Sequence, residues 1–398
     1  MKMRAYKTEI DPTEMQIEQI KRTQGVCRFV YNLFISTNRD RHKQGLKYMS
    51  GYDFAKYLNN EYREEHPEHG WIREVSSKAV KHSIMNAHNA FMSFFKEKKG
   101  YPNFKKKHGR PVSMYCPRNS PTAKDAEVQR HRIKVPTLGW MRLKEYGYIP
   151  VGYPSSITIT YKAGRYYASV LYEMDDPVPA PCTGEGLGVD VGLKTFATVS
   201  NRMVYENVNR SKNVKRACKR LKRERRRFSR KLKKRKKMKP AAVTLSDASQ
   251  MGHTITTSNL DRQRVKVQRA YHRLECIRKD FVNKTVSELV KAKPSYITVE
   301  DLCVSGMLKN RHLSRAVSES LFYTFRTTLV RKCRESGIEV RLADRFYPSS
   351  KQCSSCGAMR RDLKLSDRVY RCPVCGLEID RDLNAAMNLK DCTRYCVA

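Results

Sequence analysis

A multidomain α/β protein is what this sequence predicts, on three observations. Its 398 residues are more than one compact core usually holds, and 40% are apolar, enough for real cores rather than a disordered chain. Stretches alternating with the period of two that strands show are interleaved with stretches at helical spacing. Two Cys-X-X-Cys pairs near the end mark a small metal-stapled insertion. The charge adds a class of partner. Lys and Arg number 80 against 39 Asp and Glu, a formal charge of +41, and surfaces that basic usually sit against nucleic acid. No membrane span is expected, because the apolar runs fall far short of the roughly 20 residues it needs. The opening Met1-Lys2-Met3-Arg4-Ala5-Tyr6-Lys7 has no apolar signal core. A cytoplasmic place is therefore expected, on the nucleoid when DNA is bound. The thirteen cysteines then read as metal ligands and buried thiols rather than disulfides.

Residues 1–10 alternate weakly and read as one strand. Asp11-Pro12-Thr13-Glu14 reads as a helix start, with Asp11 as cap, Pro12 at the first helical position and Glu14 completing a capping box. Ile17, Ile20, Phe29, Val30, Leu33 and Phe34 follow at helical spacing. A second helix is predicted over 76–98, with Ile84, Ala87, Phe91, Phe94 and Phe95 on its apolar side. The Tyr101-Pro102-Asn103-Phe104 turn leads into a positive cluster, Lys105-Lys106-Lys107. Residues 112–175 read as β structure. Within them 157–161 and 166–173 form a hairpin around Lys162-Ala163-Gly164-Arg165. Tyr161, Tyr166, Tyr167 and Tyr172 in that hairpin read as core more than as base-stacking platforms. The segment 175–186, rich in proline and glycine, reads as a linker.

Gly188-Val189-Asp190-Val191-Gly192 opens a third region, and 193–199 continues toward a second strand. In 210–239, 19 of 30 residues are Lys or Arg and only Glu224 is acidic, yet Val214, Ala217, Leu221, Phe228 and Leu232 keep a helical stripe. Self-repulsion on such a helix calls for a polyanion against it. After a less regular stretch (240–260) comes another basic helix over 262–290. Tyr296–Glu300 then reads as a buried strand, 315–336 as one helix and 337–345 as a strand.

Two constellations carry chemistry. Cys353-Ser354-Ser355-Cys356 and Cys372-Pro373-Val374-Cys375 lie fifteen residues apart, each followed by a glycine. Two such knuckles make the four-thiolate tetrahedral site of a zinc ribbon, a structural site with no open position for substrate. The second constellation is dispersed. Asp190 lies on an apolar strand between glycines that allow close approach of another group, Glu300 ends a strand, and Asp380-Arg381-Asp382 opens the last helix. Taken alone, Asp382 reads as a helix cap and Glu300 as a solvated strand end. In this order they are the parts of a two-metal phosphodiester-cleaving site in an RNase H-like fold, which needs acidic oxygens converging on two Mg²⁺ ions.

The blocks Gly188-Val189-Asp190-Val191-Gly192-Leu193-Lys194, Val299-Glu300-Asp301-Leu302, Cys353-Ser354-Ser355-Cys356-Gly357 and Asp380 through Asn388 resemble the RuvC and zinc-ribbon blocks of TnpB (OrfB) proteins. These are transposon-encoded relatives of the type V CRISPR effectors. Arg28 through Asn32, Gly100 through Lys105 and Leu138-Gly139-Trp140 resemble the family's recognition and wedge segments. The resemblance implies a wedge strand over 1–10, a helical recognition insertion over 11–110 and a β-barrel-like wedge domain over 111–182. It implies a RuvC nuclease domain over 183–349 and 377–398, interrupted by a zinc ribbon over 350–376. It implies an RNA-guided DNA endonuclease, encoded by an insertion sequence, that cuts double-stranded DNA at one RuvC site. Asp190, Glu300 and Asp382 would bind two Mg²⁺ ions, with Arg381 assisting at the phosphate. Cys353, Cys356, Cys372 and Cys375 would hold one Zn²⁺. The implied partners are a guide RNA from the element itself and a target DNA, bound by a monomeric protein. By position Tyr48, Ser77, Lys81, Arg118 and Asn119 fall where the family reads a short target-adjacent DNA motif.

Three rival readings share these residues, one of them a DNA transposase proper, which would carry out strand transfer with pre-cleaved ends in the absence of RNA. A compact type V CRISPR effector would take its guide from a neighbouring repeat array. A guide-dependent repressor that no longer cuts would have lost one of the three carboxylates, and all three are present.

Overall fold

A computed structural model of the chain describes residues 2–97, 99–106, 113–120, 122–175, 179–237, 258–364 and 366–398. The chain divides into two compact units, Met1–Asp175 and Asp176–Ala398. The stretch expected to be irregular over 240–260, and Lys107 of the basic cluster, fall outside the described residues almost wholly or entirely.

The first unit begins with β1 (Lys2–Asp11), which runs into α1 (Glu14–Lys43). The cap of α1 is Thr13 rather than the expected Asp11. Gln16 N donates to Thr13 Oγ1 and Thr13 N donates to Gln16 Oε1, a complete capping box. Asp11 is claimed by the sheet, paired with Arg142 and accepting from Lys144 Nζ at 2.7 Å. Then come α2 (Gly51–Asn59), α3 (Glu61–Glu65), a 3₁₀ turn (Pro67–Glu74) and α4 (Ser77–Glu97). Phe34, Ile35, Phe54, Leu58, Ile84 and Phe91 fill the space among these helices. The buried side of α4 stops at Phe91. Phe95, expected on that side, is 52% exposed and covers Phe91 and Tyr48 as an outer layer.

The remaining strands of this unit are β2 (Met114–Pro117), β3 (Glu127–Val128), β4 (Arg132–Val135), β5 (Gly139–Leu143), β6 (Ser156–Lys162) and β7 (Arg165–Met174). They join β1 in a seven-stranded antiparallel sheet of order β2-β6-β7-β1-β5-β4-β3. Lys162 pairs with Arg165, so Ala163 and Gly164 alone form the hairpin loop, with φ of 55° and 80°. Both values are those of the tight turn whose twist matches the flanking strands. Ile157, Ile159, Ala168 and Val170 point inward, and Tyr166 and Tyr172 are buried with them. These two tyrosines are thus core.

The second unit has a six-stranded mixed sheet. Its elements are β8 (Leu187–Val191), β9 (Thr195–Val199), β10 (Val204–Glu206), α5 (Lys212–Lys237), α6 (Ser258–Lys291) and β11 (Tyr296–Glu300). They continue with α7 (Val304–Met307), α8 (Ser314–Ser320), α9 (Phe322–Ser336) and β12 (Glu339–Ala343). The last are β13 (Val369–Arg371), β14 (Glu378–Asp380), α10 (Arg381–Lys390) and β15 (Tyr395–Val397). The strand order is β10-β9-β8-β11-β12-β15. β8, β11 and β12 are mutually parallel, and β9, β10 and β15 run antiparallel to their neighbours.

Because strand side chains alternate between faces, β8 serves two layers. Val189 packs in one apolar core with Val282 and Val286 of α6 and Phe325 and Leu329 of α9. Gly188, on the other face, lies under α10. The predicted single helix over 315–336 is broken. Leu321 sits between α8 and α9 at φ 58°, ψ 35°. That left-handed conformation costs a leucine roughly 1 kcal/mol or more, and its packing against the core offsets the cost. The chain end adds β15, a three-residue edge strand on β12 where only the last helix was expected. Arg341 of β12 lies over the rings of Tyr296 and Tyr395 at 3.6 and 4.5 Å and so fastens that edge.

The one acidic residue of the basic run explains how α5 and α6 pair. Glu224 is buried, and its Oε2 accepts from the buried Gln263 Nε2 at 2.7 Å. The lone carboxylate is the pin between the two helices, while the cations around it face outward.

Candidate metal centres

Three carboxylates come within electrostatic range of one another by three routes. In the parallel pair β8–β11, Val299 lies opposite Val189, so the next residues, Asp190 and Glu300, stand side by side at the strand ends. The first turn of α10 supplies Asp382, and α10 packs on β8. Asp190 is half-buried, and its carboxyl is held well above the ordinary carboxylate range. Burial is the first cause. The charges of Glu300 and then Asp382 push the same way, Arg381 opposes them, and Asp380 adds a little. A group of carboxylates only partly offset by Arg381 offers the hard oxygen donors that a divalent cation such as Mg²⁺ takes.

The helix cap is not Asp382. Asp380 caps α10, its Oδ1 accepting from the backbone N–H of Asp382 at 2.9 Å and of Leu383 at 3.1 Å. That leaves the Asp382 side chain to meet Arg381 at 3.3 Å and Arg368 at 3.9 Å. Glu300 is not a solvated strand end either, since Ser349 Oγ donates to its Oε1 at 2.7 Å. The neighbouring Asp301, which the motif reading passed over, is clamped by Arg326 at 2.5 Å and Arg345 at 2.7 Å. Arg345 and then Arg326 hold its carboxyl below the ordinary range. This clamp fixes the backbone immediately after Glu300.

Cys353, Cys356, Cys372 and Cys375 bring four sulfurs within 4.8 Å of one another. Cys353 Sγ lies 3.6 Å from Cys375 Sγ, and Cys356 Sγ lies 3.5 Å from Cys372 Sγ. Around a tetrahedral zinc with bonds of 2.3 Å, sulfurs sit about 3.8 Å apart, so the set fits that ion. The two knuckles are built alike. Cys353 N donates to Ala358 O and Cys372 N to Leu377 O, both at 2.9 Å. Each turn closes on a left-handed glycine, Gly357 at φ 74° and Gly376 at φ 68°, which is why a glycine follows each pair. The Cys372 thiol is pulled down to about 6, first by the backbone N–H of Cys375 and also by that of Val374. Tyr370 is fully buried beneath the sulfurs.

Two asparagines of α10 tie this knuckle to the carboxylates. Asn384 Nδ2 donates to Gln352 O at 2.7 Å, and its Oδ1 accepts from Ser354 N at 3.0 Å. Asn388 Nδ2 donates to Ser349 O and Gln352 O, both at 2.7 Å. Ser349, which holds Glu300, is therefore held in turn by the helix that carries Asp382.

In the first unit the five residues singled out for DNA-motif reading fall into two groups. Ser77 and Lys81 lie one turn apart on α4. Lys81 Nζ sits over Tyr52 at 5.3 Å, and Tyr48 is half-buried among Phe34, Phe91 and Phe95 with its hydroxyl 3.0 Å from His88 Nδ1. Arg118 and Asn119 meet a residue the sequence reading missed. Lys78 Nζ donates to Asn119 Oδ1 at 2.7 Å and to Arg118 O at 3.4 Å.

Comparisons with known proteins cover the spans that hold both candidate centres. A family profile described as "Probable transposase", of the OrfB type of the IS605 elements, matches residues 169–311, the span holding Asp190 and Glu300. A Cas12f1-like TNB domain profile matches 322–389, the span holding the four cysteines and Asp382. A protein of Streptomyces pristinaespiralis, named as an RNA-guided DNA endonuclease, is 30% identical over 388 residues, covering 97% of this chain and 88% of its own. The chain belongs to the TnpB (OrfB) family. A second TnpB-type relative, InsQ of Escherichia coli (strain K12), also named as an RNA-guided DNA endonuclease, is 27% identical over 98% of this chain and 92% of its own. A helix-turn-helix profile of the same family matches residues 1–47, which fold here as strand β1 followed by the single long helix α1. Among solved structures, the mini-RNA-guided endonuclease CRISPR-Cas_phi3 aligns over 98% of this TnpB chain and 92% of its own, with 11% identity and a TM-score of 0.47.

Proposed function

We propose that this TnpB-family chain is an RNA-guided, Mg²⁺-dependent DNA endonuclease that cuts both strands of its target at one RuvC site. The observation that carries the proposal is the meeting of β8, β11 and α10, which brings Glu300 and Asp382 near enough to Asp190 to raise its proton affinity. The strand order supports an RNase H-like nuclease domain, with three antiparallel strands leading into two parallel ones. The antiparallel sheet with its helical insertion corresponds to the wedge and recognition parts. The four cysteines would hold a structural zinc.

When bound, paired Mg²⁺ ions polarise the scissile phosphate and make an attacking water more acidic. The chain's own contribution is to hold three carboxylates against their mutual repulsion. Ser349 and the Asp301 clamp orient Glu300. The Asp380 cap spares Asp382 from capping, and Arg381, which pairs with Asp382 here, would neutralise charge developing on the phosphate. The cations of α5 and α6 suit a guide–target heteroduplex read through its backbone. Tyr48, Ser77, Lys81, Arg118 and Asn119, with Lys78, are the proposed readers of the target-adjacent motif.

Protein purified with its co-expressed RNA should cut a matched DNA target in Mg²⁺. Asp190→Ala should abolish cutting while RNA binding by gel shift is unchanged. Cutting that survives the substitution rejects the assignment. An intact protein that binds target but never cuts makes it the repressor. Sequencing the co-purified RNA separates an element-derived guide from an array-derived one.

Zinc removal has its own expected result. Chelation, or Cys372→Ser, should unfold the 350–380 region and release protease cleavage there, because no hydrophobic core that small is stable alone. Proteolysis unchanged by chelation argues against a metal in the knuckle.

A further inference from the structure

Segment 61–74 is an acidic island in a basic chain. It holds five glutamates (Glu61, Glu64, Glu65, Glu68, Glu74) against Arg63 and Arg73, where the chain as a whole carries +41. Such a patch repels phosphate and attracts cations. Two histidines lie inside it. His69 N donates to His66 O at 3.0 Å at the start of the 3₁₀ turn, and 3₁₀ geometry puts residues three apart on one side. Both imidazoles consequently face the same carboxylate: Glu68 Oε1 is 3.1 Å from His66 Nδ1 and 4.0 Å from His69 Nδ1. One ligand atom from each of the three residues lies within 4.8 Å of the others.

We propose that His66, Glu68 and His69 bind a divalent transition-metal ion of the zinc class, at a site that shares no ligand with the centres described above. Ligand atoms around a tetrahedral zinc with bonds of 2.0–2.1 Å lie about 3.3 Å apart, so only small side-chain shifts close this set on an ion. Two imidazoles and one carboxylate suit zinc, cobalt, nickel or copper and not Mg²⁺, which demands oxygen. His69 is oriented in advance. Its ring lies parallel to Tyr62 at 5.6 Å and packs against Phe29 and Trp71. The Tyr62 hydroxyl is 2.9 Å from His69 Nδ1. With the ring proton on Nδ1, His69 donates to the Tyr62 hydroxyl oxygen, which leaves Nε2 with the lone pair that takes a metal.

The test counts metal on the full-length chain. Metal-stripped protein is dialysed against buffered micromolar free Zn²⁺ with millimolar Mg²⁺ present, and bound zinc per chain is measured. Wild type should hold one equivalent more than the His66→Asn/His69→Asn variant, and Cys372→Ser should keep that equivalent. Glu68→Gln, which preserves the shape of the turn, should weaken it by about tenfold. Equal zinc content in wild type and in a folded double variant, or an affinity unchanged by Glu68→Gln, overturns the proposal and leaves His66–Glu68 a simple ion pair.

Discussion

Replacing Asp190 by asparagine is expected to make the metal-free protein more stable at neutral pH, not less. The carboxyl is raised above its ordinary value by burial and by Glu300 and Asp382, so the folded chain holds this proton more tightly than the unfolded chain. The stability tied to the proton is complete below the unfolded value of about 3.9 and is lost as pH rises through the folded value. Above that window an ionised Asp190 repels its neighbours from a half-buried position, and asparagine removes the charge while keeping the shape. Relief of about 1–2 kcal/mol corresponds to a melting temperature higher by about 2–8 °C for a unit of this size. Divalent cation should reverse the order. Wild type should gain about 2.7 kcal/mol at a hundredfold excess over the dissociation constant, and the variant much less. Thermal melts with and without Mg²⁺, from pH 5 to pH 8, read both effects. A variant that melts lower than wild type without metal, or that keeps the full Mg²⁺ response, shows that Asp190 is not the strained member of a cation site.

What could be read in advance was what local spacing encodes. The 157–173 hairpin announces itself through β-branched alternation and a glycine turn, and Ala163-Gly164 is that turn. The twin cysteine pairs with their trailing glycines specify the knuckle because each turn is built from consecutive residues. The order of the three carboxylates along the chain marks them as the proposed ligands, but nothing marks the groups that hold them. Ser349 acts on Glu300 across 49 residues and Arg345 on Asp301 across 44, and no periodicity records such pairs. Capping was misjudged for a related reason. Asp11 and Thr13 are equally good caps locally, and the choice was made by a strand partner, Arg142, far along the chain. At α10 two aspartates compete in the same way, and backbone geometry gives the cap to the first. The break at Leu321 is invisible to helix propensity because tertiary packing imposes it. The pair Lys78–Asn119 was missed since a lysine on a charged helix carries no mark of its partner.

Gly188→Ala should separate α10 from the sheet and disable the carboxylate site, although residue 188 carries no functional group. A Cβ there would run into the backbone oxygen of Ala386 and the backbone nitrogen of Lys390, atoms that no side-chain rotation can clear. Residues 188 and 190 share one face of β8, about 6.6 Å apart along the strand. Ala386 and Asp382 share one face of α10, one turn or about 6 Å apart. The two steps match, so the close contact of Gly188 with Ala386 is the spacer that sets Asp190 against Asp382. Lifting the helix to admit a methyl costs about 1–3 kcal/mol by overpacking and pulls Asp382 and the Asn384 and Asn388 braces away together. The expected outcome is a folded but less stable protein whose Mg²⁺-dependent rise in melting temperature is lost, with Asp190 no longer strained. Gly100→Ala, where a Cβ meets nothing, should change neither quantity. If Gly188→Ala keeps the full Mg²⁺ response, the helix does not set the spacing of the carboxylates, and Asp382 must reach the site by some other support.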